Sequence, residues 1–586
     1  MNYNLNVPAG KEQKHKTYPA LKKLLALIPD ERRNYTLACT AIFINSLLSL
    51  LGPFMIGYAI DKYIVTKDFN GVLLFSGILF IMYLVALLTS YLQTKLMGGV
   101  GQRMLYTLRN TIFQKLLELP LAFFNQNKAG DLISRVNNDT DKLNQFFSQS
   151  LMQFIGSIVT MTGAGIFLLA INWHLGAAAL LPALLIFIFT RIISPMVKRK
   201  NALNLKSVGG MSAEIQESLN NFRVIIAFNR RDYFRKRFNE ANQHNYSTSI
   251  SAGLANNTFA PVYGLFSSIA QLIVLAYGIY LIGEREFTIG LLVSFLSYAN
   301  NFYNPLRQLA ALWTSFQTAM AGWDRISQIL TLESDLLLRD ALAPGAGSAL
   351  IEFSNVYFSY PDGKEVLHNM IFKMEAGKTY ALIGPTGGGK TTTSYLMARL
   401  YDPSKGIVLL NGRDIRSYNS GDRSRKIGFI LQEPFLFSGT VKENILYGNE
   451  LYIDYSDEQL VQVIRNANLE SILSVFEKGL DTEVISGGDS ISLGQKQIIA
   501  FIRAILRNPQ VLILDEATAN IDTVTEQLLE DILQNLPKES TRVIIAHRLN
   551  TIKNADEIYF VNSGAMVRAG SFDDAVEMLF HGKRES

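Results

Sequence analysis

Six stretches in the first half of the chain are long enough to cross a hydrocarbon core of ~30 Å as helices, with Asp, Glu, Lys or Arg absent or only at their ends. They run from Tyr35 to Ile60, Gly71 to Thr94, Gln149 to Ile171, Leu175 to Ile193, Phe259 to Gly283 and Phe287 to Leu306. This pattern predicts six membrane spans. The connections after the second and fourth spans are long, and the latter carries Lys198-Arg199-Lys200 and the basic run Arg230 to Arg237. Basic residues near span ends mark the cytoplasmic side, which places both termini there. Parts of these connections keep a helical pattern, as in Met211 to Phe228, so spans two to five are expected to extend beyond the bilayer. Ahead of the first span, Leu21, Leu24, Leu25 and Ile28 recur at helical spacing around Lys22 and Lys23, the pattern of an interfacial amphipathic helix. The first residues lack the apolar core of a cleavable signal peptide.

After residues Arg339 to Ser348, rich in Gly, Pro and small side chains, the pattern changes to short alternating strands and amphipathic helices, beginning with Ile351 to Val356. The expected organisation is a helical transmembrane domain at 1–335, a linker at 336–349 and an α/β domain at 350–586. Composition agrees with a membrane protein. Of 586 residues only 18 % are charged, against about 25 % in soluble domains, and mean hydropathy is +0.15. Cys39 stands alone in an apolar run, which excludes an intrachain disulfide and a cysteine zinc cluster. A net charge of +5 is too mild to imply nucleic-acid binding, and no such partner is expected.

The chemistry lies in the second domain. A strand-like run, Lys378 to Ile383, leads into Gly384-Pro385-Thr386-Gly387-Gly388-Gly389-Lys390-Thr391 and then a helical stretch through Leu400. In that context the G-x-x-x-x-G-K-[ST] spacing makes a phosphate cradle of an α/β P-loop NTPase. Glycines let the backbone wind around an anion, Lys390 reaches the terminal phosphates of ATP, and the Thr391 hydroxyl is a ligand for Mg²⁺. Downstream, Val511 to Leu514 reads as a buried strand ending in Asp515 and Glu516. Asp515 is placed to hold Mg²⁺ through water, and Glu516 to orient or deprotonate the attacking water.

With these motifs the sequence resembles the ATP-binding cassette superfamily over nearly its whole length, and six spans followed by one cassette are similar to an exporter half-transporter. The resemblance implies further roles. Tyr360, before Pro361, would stack on adenine, the alternative being a core aromatic of its strand. Gln432 would touch Mg²⁺ and sense the membrane domain, and His547 would bond the γ-phosphate. Thr392 would join the phosphate loop, and Asp522 belongs to the segment Ala519 to Asp522 that resembles the D-loop. Leu119 to Phe124 with Gly130 to Ile133, and Glu217 to Val224, resemble coupling-helix regions.

The family's Leu-Ser-Gly-Gly-Gln signature matches Ile491-Ser492-Leu493-Gly494-Gln495, with Leu in place of the first glycine. A second candidate, Ile485 to Asp489, is rejected because only 492–495 directly precedes a helix, predicted from Lys496 to Leu506. By resemblance Ser492, Gly494 and Gln495 bind the partner's nucleotide, and Leu493 adds bulk and backbone restriction there. An intact Lys390, Asp515, Glu516 and His547 beside a weakened signature resembles the competent chain of a heterodimeric exporter; a homodimer is the alternative. The cargo expected is a small apolar or amphipathic compound, with peptide export, or an ATP-gated channel or sensor, as alternatives. Asn45, Gln153, Gln271, Asn300 and Asn301 in the spans read either as helix-to-helix partners or as cavity lining, and Arg307 either lines a cavity or snorkels.

Overall fold

The computed structural model describes residues 3–5, 31–334, 336, 338, 349–361, 363–467, 469, 473, 475–485, 491–515, 523–536, 539–545 and 552–581. The predicted interfacial helix at 20–28 and most of the linker lie outside them. The chain divides into two compact units, one formed by Ala9–Leu117 and Gly130–Thr331, the other by Met1–Pro8, Glu118–Ala129 and Leu332–Ser586.

The first unit is helical. Its main elements are α1 (Arg32–Ala59), α2 (Phe69–Glu118), α3 (Leu151–Ile171), α4 (Trp173–Asn220), α5 (Arg231–Asn257), α6 (Phe259–Gly283) and α7 (Ile289–Leu330). At about 1.5 Å per residue, the 50 residues of α2 and the 48 of α4 far exceed a bilayer core. Five described helical segments are long and apolar enough to cross a membrane. The sixth predicted stretch is helical, as the start of α7, but Asn300, Asn301 and Asn304 dilute its apolar character. Leu50, Leu168, Val274, Phe295 and Tyr298 form one buried cluster between helices.

Several polar side chains join one helix to another. The Tyr298 hydroxyl donates to Leu50 O at 2.7 Å, Tyr303 to Ala179 O at 2.7 Å and Ser294 to Pro53 O at 2.8 Å. Gln271 Nε2 donates to Asn300 Oδ1 at 2.7 Å, so these two amides act as helix-to-helix partners. Near the end of α7 an ionic network forms. Arg135, almost fully buried, donates to Asp131 and to Arg325 O, while Arg325 and Lys142 each stand 2.9 Å from the buried carboxylate of Asp139.

The second unit is an α/β domain. A four-stranded antiparallel sheet is ordered β2 (Glu365–Met374), β1 (Ile351–Ser359), β4 (Lys405–Leu410), β5 (Arg413–Asp414). A six-stranded sheet includes β3 (Thr379–Ile383) and β6 (Ile427–Ile430). Its later members are β9 (Val511–Asp515), β10 (Thr541–Ile545), β11 (Glu557–Asn562) and β12 (Ala565–Ala569), ordered β12-β11-β3-β10-β9-β6. Gly439–Thr440 (β7) and Glu483–Val484 (β8) pair separately. Strands β11, β3, β10, β9 and β6 run parallel. Every residue of β9 is buried, which explains its unbroken apolar run before Asp515.

Residues 118–129 pack within this second unit. Pro120 precedes the short helix Leu121–Gln126, whose Phe123 is fully buried against Tyr3 in an edge-to-face contact. Asn127 Nδ2 donates to Tyr3 O and Leu5 N donates to Asn127 Oδ1, so residues 3–5 are laced onto this turn.

Candidate phosphate-binding and signature sites

Ligands of open α/β sheets sit beyond the carboxyl ends of parallel strands. Here Ile545 is in register with both Leu382 and Asp515, so β3, β9 and β10 end at one edge of the sheet. The loop after β3 holds Gly384, Gly387 and Gly389 at φ of +139°, +81° and +111°. A Cβ on Gly384 would lie 2.0 Å from Val561 O, so neither the conformation nor the space admits a larger residue. Gly389 caps the helix α8 (Lys390–Met397), which ends short of the predicted Leu400. Pro385 O accepts from Gly388 N at 3.1 Å, closing the turn, and the Thr386 side chain is exposed.

Lys390 is buried, and its ammonium donates to Gly384 O at 2.7 Å and Pro385 O at 3.0 Å. The cation therefore lies over the mouth of the loop. Thr391 Oγ1 stands 3.4 Å from Asp515 Oδ1, which brings the two expected metal residues together although 124 positions separate them. Hydroxyl and carboxylate oxygens suit Mg²⁺.

Tyr360 lies just past β1, half-buried, with its hydroxyl 3.1 Å from Thr392 Oγ1 and its ring edge-on to Phe358 and Tyr401. Tyr401 in turn accepts from Asn125 Nδ2 at 2.8 Å. Burial, and then the charge of Asp515, push the nearby Tyr395 phenol above its ordinary pKa. The Gln432 side chain is exposed, while its carbonyl accepts from Gln497 Nε2 at 2.9 Å. Gln497 was not singled out by sequence reasoning. It is fully buried, and its one local signal is an amide directly before Ile498 and Ile499.

The signature helix α9 spans Leu493–Ile505, starting three residues earlier than predicted. Ser492 is its N-cap: Ser492 Oγ accepts from Gln495 N at 3.2 Å, and Gln495 Oε1 accepts from Ser492 N at 2.8 Å. Gly494 is buried, and a Cβ there would press on Thr525 at 3.0 Å. Leu493 occupies the first helical position without positive φ. Its backbone is unstrained there, and its side chain is partly exposed. Glu516, Asp522 and His547 lie outside the described residues, as does most of the rejected segment 485–489.

Residues 35–306 match the family model of the ABC transporter transmembrane region, and residues 367–519 match that of the ABC transporter ATPase. An uncharacterised ABC transporter ATP-binding protein of Bacillus subtilis is 33 % identical over 96 % of this chain and 92 % of its own length. The chain belongs to the ABC transporter family. A fatty acid ABC transporter ATP-binding/permease protein of Mycobacterium bovis is 32 % identical over 84 % of this chain and 77 % of its own length. A multidrug resistance ABC transporter ATP-binding and permease protein of Lactococcus lactis is 30 % identical over 84 % and 83 %. With membrane region and ATPase fused in one chain, this ABC protein is a membrane exporter whose ATPase activity is coupled to transport. One of each makes it a half-transporter, a form that implies dimerisation.

Proposed function

We propose that this chain is the hydrolytically competent half of a heterodimeric exporter that moves an apolar or amphipathic compound across the cytoplasmic membrane by alternating access. The observation that carries the reading is the meeting of Thr391 and Asp515 beside the Lys390 loop, a cradle built for a nucleoside triphosphate. In this reading residues 1–335 form a six-span membrane domain, 336–349 a linker and 350–586 the ATPase, with both termini cytoplasmic.

Tyr360 stacks on adenine. Residues 384–392 wrap the phosphates through backbone N–H groups, and Lys390 turns from its loop carbonyls to the terminal phosphates. Thr391, Asp515 and Gln432 hold Mg²⁺, which neutralises phosphate charge when bound. Glu516 takes the proton of the attacking water and His547 steadies the γ-phosphate. Ser492, Gly494 and Gln495, at a helix start, face the nucleotide of the partner chain, and Asp522 lies at the same junction.

The relatives named for fatty acids and for multidrug resistance support an amphipathic cargo. Surfaces left open support the second chain. Phe222, Val224 and Phe228 are exposed around the short helix Phe222–Ala227 of one unit, and Phe435 and Phe437 are exposed beside a 180 Å³ groove of the other. Leu493 favours a heterodimer, since its bulk would weaken only the site formed with the partner's phosphate loop. The test is purification with and without the product of a neighbouring open reading frame, followed by ATPase assay. Full, cargo-stimulated activity of this chain alone would replace the heterodimer by a homodimer.

A further inference from the structure

Residues 3–5, the turn at 120–127 and Glu333 belong to the same compact unit as the ATPase strands. Residues at the end of a chain are poorly ordered unless something ties them down, because fixing their backbone costs entropy. Here the tie is extensive. Tyr3 is 1 % exposed and is one of the largest fully buried side chains among the described residues. Its ring meets the buried Phe123 edge-on at 6.4 Å, and its hydroxyl donates to Glu333 O at 3.2 Å. Two consecutive side chains of the turn take up the backbone. Tyr3 N donates to Gln126 Oε1 at 2.9 Å, Asn127 Nδ2 donates to Tyr3 O at 2.9 Å, and Leu5 N donates to Asn127 Oδ1 at 3.0 Å. Asn127, itself buried, also donates to Phe123 O at 2.8 Å, so one carboxamide joins the turn to residues 3 and 5.

The turn held in this way carries Asn125, whose Nδ2 donates to the hydroxyl of the buried Tyr401 at 2.8 Å. The Tyr401 ring stands edge-on to Tyr360 with centroids 5.4 Å apart, and the Tyr360 hydroxyl lies 3.1 Å from Thr392 Oγ1. A continuous line of contacts therefore runs from Tyr3 through the turn and Tyr401 to Tyr360. A cavity of about 330 Å³ is lined from one side by Pro120 and Ala122 and from the other by Tyr360 and Tyr401. On that side the two rings have room to shift, and the bond from Asn125 is what bridges the turn to them.

We infer that residues 3–5 form a strap that fastens the 121–127 turn, and that Tyr3 is thereby a positioning residue for the aromatic face that receives the base of ATP. The second half rests on the reading of Tyr360 as the adenine-stacking residue; the fastening does not. Without the Tyr3 ring, Phe123 loses its cover, and the backbone of residues 3–5 loses the anchor that holds it against Gln126 and Asn127. The turn then loosens, Asn125 no longer fixes the Tyr401 hydroxyl, and the ring edge beside Tyr360 is free to move into the cavity. Lys390, Thr391 and Asp515 make no part of this line, since Lys390 is held by its own loop carbonyls and Thr391 stands at Asp515. The strap therefore acts on the grip of the base and leaves the grip of the phosphates alone.

The test is concentration-dependent photolabelling of this chain by 8-azido-ATP, with the purified full-length transporter in nanodiscs and inorganic tripolyphosphate as a competitor that has no base. Tyr3→Ala should raise the half-saturating concentration by about two- to tenfold, the weight of one neutral hydrogen bond, and leave competition by tripolyphosphate unchanged. Tyr3→Phe keeps the ring and should restore most of the loss. Asn125→Ala, which cuts the line at Tyr401 and leaves the strap docked, should weaken labelling in the same way. If Tyr3→Ala fails to fold, Tyr3→Leu takes its place. A Tyr3 that served stability alone would lower the melting temperature or the labelled fraction and spare the half-saturating concentration. Half-saturation unchanged in the Tyr3 variant, or an equal loss for nucleotide and tripolyphosphate, would overturn the inference. Tyr360→Leu separates it from the reading on which it rests. If that variant labels like the parent, the adenine role falls and hydrogen exchange at 121–127 decides on the strap: faster exchange in Tyr3→Ala upholds it, and unchanged exchange overturns it.

Discussion

Gly384→Ala should abolish useful ATP binding while Gly387→Ala only weakens it, although both glycines have positive φ. At Gly384 an added Cβ would stand 2.0 Å from Val561 O, where ordinary contacts begin near 3.4 Å. Loop and β11 must separate by more than an ångström. Holding Ala at φ +139° costs roughly 1–3 kcal/mol, and the overpacking adds about 1–3 more. Together these give about 2–6 kcal/mol, and a middle value of about 4 kcal/mol corresponds to a ~1,000-fold loss of affinity. At Gly387 nothing lies within 4 Å of the added Cβ, so only the backbone contributes, about 1–2 kcal/mol, which is roughly five- to thirtyfold. The assay is equilibrium binding of a fluorescent ATP analogue to purified full-length variants, with thermal melting to confirm folding. Affinity of Gly384→Ala within about threefold of the parent, or a larger loss in Gly387→Ala, would refute the reasoning.

Asp139→Ala removes a fully buried carboxylate from Arg325 and Lys142, and because both cations keep partial contact with solvent the expected loss is about 2 kcal/mol, below the roughly 3–5 kcal/mol of a fully buried pair, read as a lower melting temperature. In the heterodimer proposed above the partner's half of that site would carry its own defect, so Leu493→Gly should change the ATPase rate little, whereas in a homodimer it should change it strongly; steady-state turnover of the purified complex distinguishes them. The hydrogen bond from Arg103 holds the Glu31 carboxyl, just before the first span, below its usual range. Its contribution is therefore complete above the unfolded value of about 4.3 and is lost as pH falls through the lowered one, so melting temperatures of Glu31→Gln and the parent should differ at neutral pH and converge in acid.

The features legible in the sequence are those whose cause is local. Gly384 to Thr391 can be read because a tight phosphate turn demands glycine and a helix start at fixed spacing, and Asp515 because four buried strand residues precede it. Ser492 is preferable to Ile485 to Asp489 for the same reason, since a serine with Gln three residues on is a capping box. That motif also explains the early start of α9: the cap is Ser492, so helix begins at Leu493 rather than Lys496. What stayed hidden depends on distant packing. Nothing near Tyr3 announces its burial against Phe123, 120 positions away, or the hydrogen bonds that Asn127 makes to Tyr3 O and Leu5 N. Gln497 holds the carbonyl of Gln432 through a bond 65 residues long in sequence.

The most direct test of the account is ATP hydrolysis by the reconstituted transporter carrying Glu516→Gln, with Lys390→Ala as the companion variant. The first should bind labelled ATP but lose turnover by about 10² to 10⁴-fold, as expected when a general base is removed, with loss of ATP-driven cargo movement in inside-out vesicles. The second should lose nucleotide affinity itself. Undiminished turnover in Glu516→Gln, or ATP binding unchanged in Lys390→Ala, would contradict the assignment of this chain as the competent, hydrolysing half of an exporter.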